Sequence, residues 1–158
     1  LLGISTVRVN AHLVRILFGE DAYPETVDDY TEFSDDILQF PVIVGGAAIP
    51  GKSTDYNAVD LAAKIGVNYV VNLSNIEYVY DSDPKLNSRA KKIERIGWIE
   101  YRALIPQKFS PGLNTPFDPI ASERAEKLGI EVAIIGKDLE NFENYLAGKT
   151  FLGTIIHP

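Results

Sequence analysis

At 158 residues the chain has the length of one ordinary domain, and an apolar content of 46% is enough to bury a core. The absence of cysteine excludes disulfides and thiolate metal sites, and His12 and His157, the sole imidazoles, argue against a zinc enzyme. A net charge of −7 argues against neutralising a long nucleic acid, and no apolar run reaches the roughly 18 residues of a membrane span; a mononucleotide, which needs only a few local donors, remains compatible.

Along the chain, helical and strand patterns alternate. Ser5 to Phe18 carries Val7, Ala11, Val14 and Leu17 or Phe18 at helical spacing and is closed by Gly19. The helix follows Leu1 almost directly, with no strand ahead of it, so the first strands of a sheet are expected to be missing. Gln39 to Val44 is a short apolar run broken by Gly45-Gly46. Ser53 or Thr54 caps a helix whose apolar positions are Ala58, Leu61, Ala62 and Ile65, and Gly66 stops it.

Asn68 to Leu73 is an apolar, β-branched run suited to a parallel strand covered on both faces. Asp118-Pro119 reads as a cap with proline at the first helical position, leading a helix to Leu128 and Gly129. Glu131 to Ile135 is a buried strand. Asp138 to Ala147 is a helix with Leu139, Phe142 and Leu146 on one face, and Gly153 to Ile156 is a last strand. The order predicts a three-layer α/β/α sandwich with a largely parallel sheet.

In open α/β sheets, ligands sit at the carboxyl ends of strands. Three such places carry unusual loops: Gly45 to Asp55, Ser74 to Pro84, and the segment entering Asn114 to Asp118. The first contains a literal phosphate-loop pattern, Gly46-x4-Gly51-Lys52-Ser53. Pro50 removes one amide that such a nest needs. The following strand ends in Asn72 and Ser74, where a phosphate-loop enzyme would place a magnesium-binding aspartate.

Taken in order, the loops resemble the uridylate kinase branch of the amino-acid kinase family, its archaeal-type members in particular. The first loop is similar to the family's Gly-Gly…Pro-Gly-x-Thr-Thr-Asp segment, with Ser53 for the first threonine. The second is similar to Thr-Asn-x-x-Gly-Val-Tyr-x-x-Asp-Pro: Asn75, Val79, Tyr80, Asp83 and Pro84 agree, Ser74 replaces threonine, and Tyr78 replaces glycine. Phe117-Asp118-Pro119-Ile120-Ala121 resembles the Asp-x-x-Ala helix start. Gly148-Lys149…Gly153-Thr154-Ile155-Ile156 resembles the closing strand, and Gly3-Ile4…Arg8-Val9-Asn10-Ala11 the Gly-Ile…Thr-Arg-x-Asn-Ala helix.

The resemblance implies a cytoplasmic phosphotransferase that moves a phosphoryl group from ATP to UMP with Mg2+ and no covalent intermediate, in pyrimidine nucleotide synthesis. Ala48, Ile49, Pro50, Gly51, Lys52, Ser53 and Thr54 would hold UMP, within a loop spanning residues 45–55. Ser74, Asn75, Tyr80 and Asp83 would hold ATP, Tyr80 against the adenine, within an ATP-binding portion at residues 68–158. Asp55 and Asp118 would organise the reacting phosphates. Such a role fits the chemistry: in-line transfer needs alignment and charge compensation, and an aspartate beside phosphates must act through a cation. A homo-oligomer, a hexamer by resemblance, is implied for the intact protein.

The family's Lys-x-Ser-Gly phosphate site and Gly-Gly-Gly loop do not occur in this sequence. Residues 1–158 therefore read as the last two-thirds of a kinase domain, weak or inactive alone. Rival readings are a non-catalytic nucleotide-binding or oligomer-forming module, and a relative acting on a carboxylate or carbamate. Several residues carry plainer expectations. Trp98 and Tyr101 read as packing, His12 as helix surface, and Asp81 as a solvent-facing turn residue. Asp28, Asp29, Glu32, Asp35 and Asp36 read as a solvated connection.

Overall fold

The computed structural model describes residues 2–28, 35–46, 52–108 and 115–158. The chain divides into two compact units, Leu1–Ile65 and Gly66–Pro158.

In the first unit, α1 (Leu2–Phe18) begins earlier than its apolar spacing predicts and ends where Gly19 takes a positive φ of 56°. Short 3-10 turns follow at Gly19–Asp21 and Asp35–Gln39. The apolar run at Gln39 to Val44 forms no strand; it makes an isolated parallel bridge, Ala22 to Val42, and Gly45 just beyond it makes another with Val27. Helix α2 (Thr54–Lys64) is capped by Ser53, whose Oγ accepts from Tyr56 N at 3.0 Å. Ala11, Val27, Ile37, Val44, Val59 and Ala62 are buried, while His12 is exposed on α1.

The second unit is built on strands β1 (Tyr69–Ser74), β2 (Val79–Tyr80), β3 (Lys92–Ile93), β4 (Arg95–Gly97), β5 (Glu131–Gly136) and β6 (Gly153–His157). Its helices are α3 (Trp98–Leu104), α4 (Pro119–Leu128) and α5 (Leu139–Leu146). The main sheet has the order β1-β5-β6-β4, with β1 parallel to β5, β6 antiparallel to β5 and parallel to β4. The sheet is thus mixed, with two of three pairings parallel, and helices flank it. Val132, Ala133, Ile134 and Ile135 of β5 are all 0% exposed, so successive side chains are covered on both faces.

One face of β5 lies under α5, where Tyr145 and Phe151 pack on Ala133, Ile135 and Ile155. This corrects the expected apolar face of α5: Leu139 is 67% and Leu146 59% exposed, and the buried position is Asn141. Asn141 is buried because both ends of its amide are used, donating to Leu152 O and accepting from Leu152 N, each at 2.7 Å. Helix α4 starts as expected at Asp118-Pro119 and ends at Gly129, whose φ of 66° is left-handed. The hairpin β2–β3, strand β4 and helix α3 were not legible as elements. Each strand has two or three residues, too short for a period to show.

Candidate functional site

Strand β1 ends at Ser74, and the chain then turns into the short β2–β3 hairpin. The hairpin is tied to the main sheet by buried Thr154 of β6. Its Oγ1 accepts from Val79 N at 2.8 Å and donates to Ile93 O. Thr154 thereby fixes where Tyr78, Tyr80 and the loop beyond them stand. That loop is held by its own side chains. Asp81 Oδ1 accepts from Lys91 N at 2.9 Å and Ser82 Oγ at 3.0 Å, and Asp83 Oδ1 accepts from Lys85 N at 2.8 Å. The Lys91 amide, above all, holds the Asp81 carboxyl below the usual carboxylate range.

These elements enclose a cavity of about 350 Å³. Ser74, Asn75, Tyr80 and Asp83, the four positions expected to hold ATP, all line it, together with Tyr78 and Lys85. Its far wall includes Leu104, Ile105, Thr115 and Pro116. Tyr78, where the resemblance expects glycine, is only 6% exposed. The Lys92 ammonium sits 4.5 Å above its ring centroid, 3.1 Å from Glu94 and 3.5 Å from the Tyr78 hydroxyl. Glu94 first, then that hydroxyl, raises the Lys92 pKa above its ordinary value. Asp81, expected to be a turn residue facing solvent, is exposed and also lines the cavity.

Asp118 is fixed from two sides. Its Oδ1 accepts from Ile120 N at 2.8 Å and Ala121 N at 3.0 Å, which starts α4, and the residue is 5% exposed. Just before it, Phe117 is clamped by Tyr101, whose hydroxyl donates to Phe117 O at 2.9 Å and accepts from Phe117 N at 2.8 Å. Asn72 Nδ2 donates to Pro116 O at 3.0 Å, so strand β1 also holds this segment. Trp98 and Tyr101 are buried as expected of packing residues, and Tyr101 adds this positioning role, which its neighbours in sequence do not signal.

In the first unit, Lys52, Ser53, Thr54 and Asp55 form the entry to α2, whereas Ala48, Ile49, Pro50 and Gly51 lie outside the described residues, as does Asn114. Lys52 Nζ rests 3.2 Å from the Tyr56 ring centroid and Ser53 caps the helix. Thr54 is exposed at the first helical position, and Asp55, half-buried, follows it in the first turn. The acidic connection is not uniformly solvated. Asp28 pairs with Arg8 at 3.0 Å and has its Oδ1 buried beside Gly46, where a Cβ would come within 2.2 Å of that oxygen. Asp29 and Glu32 lie outside the described residues.

Among the described residues, no helix is long and apolar enough to cross a membrane, and no three His, Cys, Asp or Glu side chains gather as a metal site would require.

The amino acid kinase family model matches residues 3–136. The uridylate kinase of Pyrococcus abyssi is 35% identical over 159 aligned positions, covering 99% of this chain and 70% of that protein. The uridylate kinase of Hyperthermus butylicus is 32% identical, covering 99% of this chain and 69% of that protein. Among solved structures, the uridylate kinase of Archaeoglobus fulgidus superposes with a TM-score of 0.82 at 29% identity, over 98% of this chain and 69% of that one.

Proposed function

The chain belongs to the amino acid kinase family, and from that membership we propose that it serves a UMP kinase: ATP and UMP give ADP and UDP. The observation that carries the reading is the cavity of the second unit. Four residues picked out by motif, spread from Ser74 to Asp83, line one space at the carboxyl end of β1. Similarity to uridylate kinases over nearly the whole chain supports UMP as the acceptor.

In this reading Tyr80 lies against the donor base, while Ser74, Asn75 and Asp83 hold its ribose and phosphates. Residues Ala48 to Thr54 hold the UMP phosphate and sugar through hydroxyls and main-chain amides. The phosphate oxygen of UMP attacks the γ-phosphorus of ATP in line, and the bond to the β-phosphate oxygen breaks, leaving ADP. Asp55 and Asp118 act at the reacting phosphates. Asp118 is suited to this by its rigidity, since a carboxylate held by two amides does not need to be ordered on binding. Mg2+ enters with ATP. Such an ion would offset charge at the phosphates, keeping several waters and taking one or two carboxylates besides phosphate oxygens.

The test is transfer of phosphate from ATP to UMP, CMP or N-acetylglutamate, followed as ADP release. UMP is expected to be the preferred acceptor; preference for either of the others refutes the reading. Asp118→Asn is expected to lower turnover by about 10²-fold with the fold retained, because the amide can still cap α4 but cannot compensate a cation. A second reading is nucleotide binding without turnover. It predicts ATP binding with no ADP release from any acceptor.

A further inference from the structure

Position 78 departs from the motif around it in size. Tyr78 stands where the resemblance expects glycine, and its side chain, only 6% exposed, lines the donor cavity. A ring is therefore built into a wall that glycine would leave bare. Tyr80, which also lines the cavity, lies two residues on. Between them Val79 is pinned, its amide donating to buried Thr154 at 2.8 Å. Both rings thus leave a stretch of backbone that is fixed to the main sheet.

The Tyr78 ring is held a second time, by the other strand of the hairpin. Lys92 is the register partner of Tyr80, and its side chain runs diagonally to Tyr78. There the ammonium lies 4.5 Å from the ring centroid and 3.5 Å from the hydroxyl, and it pairs with Glu94 at 3.1 Å. Neither Lys92 nor Glu94 is among the described residues that line the cavity. With Glu94 against it, Lys92 brings no net charge to this wall. Its part is to fix a ring. The strands β2 and β3 have two residues each, too few to be stable unaided, so the ring's place depends on such ties.

We propose that Tyr78 is a contact for the base of the donor nucleotide, at a position where the motif has no side chain, and that Lys92, neutralised by Glu94, is a positioning residue which holds the Tyr78 ring. The inference rests on the donor-site reading and deepens it. An aromatic ring offers a flat apolar face to any base, and a ring immobilised beforehand loses little side-chain entropy on binding. A contact to the base is shared by adenosine, ADP and ATP, whereas a contact to phosphate is not.

The experiment is calorimetric titration of ATP, ADP and adenosine into the chain and into Tyr78→Leu, Tyr78→Phe, Lys92→Met, Lys92→Arg and the double variant Tyr78→Leu/Lys92→Met, each checked for native circular dichroism. Tyr78→Leu, which keeps buried bulk but removes the ring, is expected to weaken all three ligands in parallel by about tenfold. Tyr78→Phe keeps the ring and is expected to bind within about twofold of the unmodified chain. Lys92→Met is expected to weaken the three ligands about threefold, and Lys92→Arg to restore them, since a guanidinium also rests on a ring. The double variant is expected to bind no worse than Tyr78→Leu alone. If adenosine binds Tyr78→Leu as tightly as the unmodified chain, the ring is no base contact, whether or not ATP weakens. If Lys92→Met weakens ATP but not adenosine, or weakens Tyr78→Leu further, Lys92 does not act through the ring. Either result leaves the donor-site reading standing. An unmodified chain that binds neither ATP nor adenosine overturns that reading itself, and this inference with it.

Discussion

The two units organise polar residues by different means. In the second unit, the loops after β1 and before α4 are pinned to a sheet by long-range bonds: Thr154 to the hairpin, Asn72 to Pro116, Tyr101 to Phe117. In the first unit, the described residues ahead of α2 are ordered locally, by a Ser53 cap and by Lys52 lying over Tyr56 three residues after Ser53. Its helix α1 leaves Val9, Leu13, Ile16 and Leu17 exposed, Leu17 by 85%, and among the described residues its strand pairing comes to two isolated bridges. Long-range bonds make a side chain's position a property of the whole fold. Local caps make it a property of one helix turn, which frays at little cost.

The largest effect expected from this contrast is in the core of the sheet. Ile134→Ala on β5 should lower stability by about 2–5 kcal/mol in denaturant unfolding, because a fully buried side chain leaves a cavity covered on all sides. Amide exchange should be slowest along β5, and slower there than at the Ala22–Val42 bridge. Equal protection at both places would abolish the distinction between the units.

Next comes Tyr101→Phe. Removing one hydroxyl leaves the buried Phe117 N–H without its acceptor and should cost about 1–3 kcal/mol. Faster exchange at Phe117 and its neighbours, ahead of global unfolding, is the local signature to seek. Ser53→Ala should cost only about 1 kcal/mol, with faster exchange confined to the first turn of α2. If the two substitutions prove equally costly and equally local, long-range and local fixation are equivalent here.

The smallest effect is that of pH on the loop after β2. The pKa of Asp81 is lowered by the Lys91 amide, so the loop's order is present above the unfolded value of about 3.9 and is lost as pH falls through the lower folded value. The Lys91 amide shift, followed by NMR from neutral to acid pH, should report this. In Asp81→Asn, which keeps the acceptor but not the charge, the acid transition should vanish.

The sequence made the long elements legible because each carried both a period and a punctuation mark. Ser53 and Gly66 bracket α2, Asp118-Pro119 and Gly129 bracket α4, β1 is a β-branched run without charge, and β5 is an apolar run from Val132 to Ile135. The motif from Ser74 to Pro84 was readable for the same reason: its polar residues stand at fixed spacing after such a run. Hydrophobic pattern misled for α5, where Leu139 and Leu146 face out and Asn141 faces in. An amide that satisfies both its donor and its acceptor on one partner residue is buried at little cost, and composition does not reveal the partner. Likewise Gln39 to Val44 has a strand's composition but only bridging contacts, because a strand needs a neighbour in register as well as an apolar sequence.

By itself, then, the sequence determined the α/β class, the places where α2, α4 and α5 start and stop, and the residues expected to meet a donor nucleotide. Those features depend on near neighbours: a capping side chain reaches two or three residues, and a motif is a spacing. Tertiary structure decided what fixes those residues in space. Thr154 reaches across to Val79, Tyr101 to Phe117, and residues between Ser74 and Lys85 line a cavity that also takes in Leu104 and Pro116. Such contacts join positions far apart in the chain, and only the packing of one particular sheet brings them together.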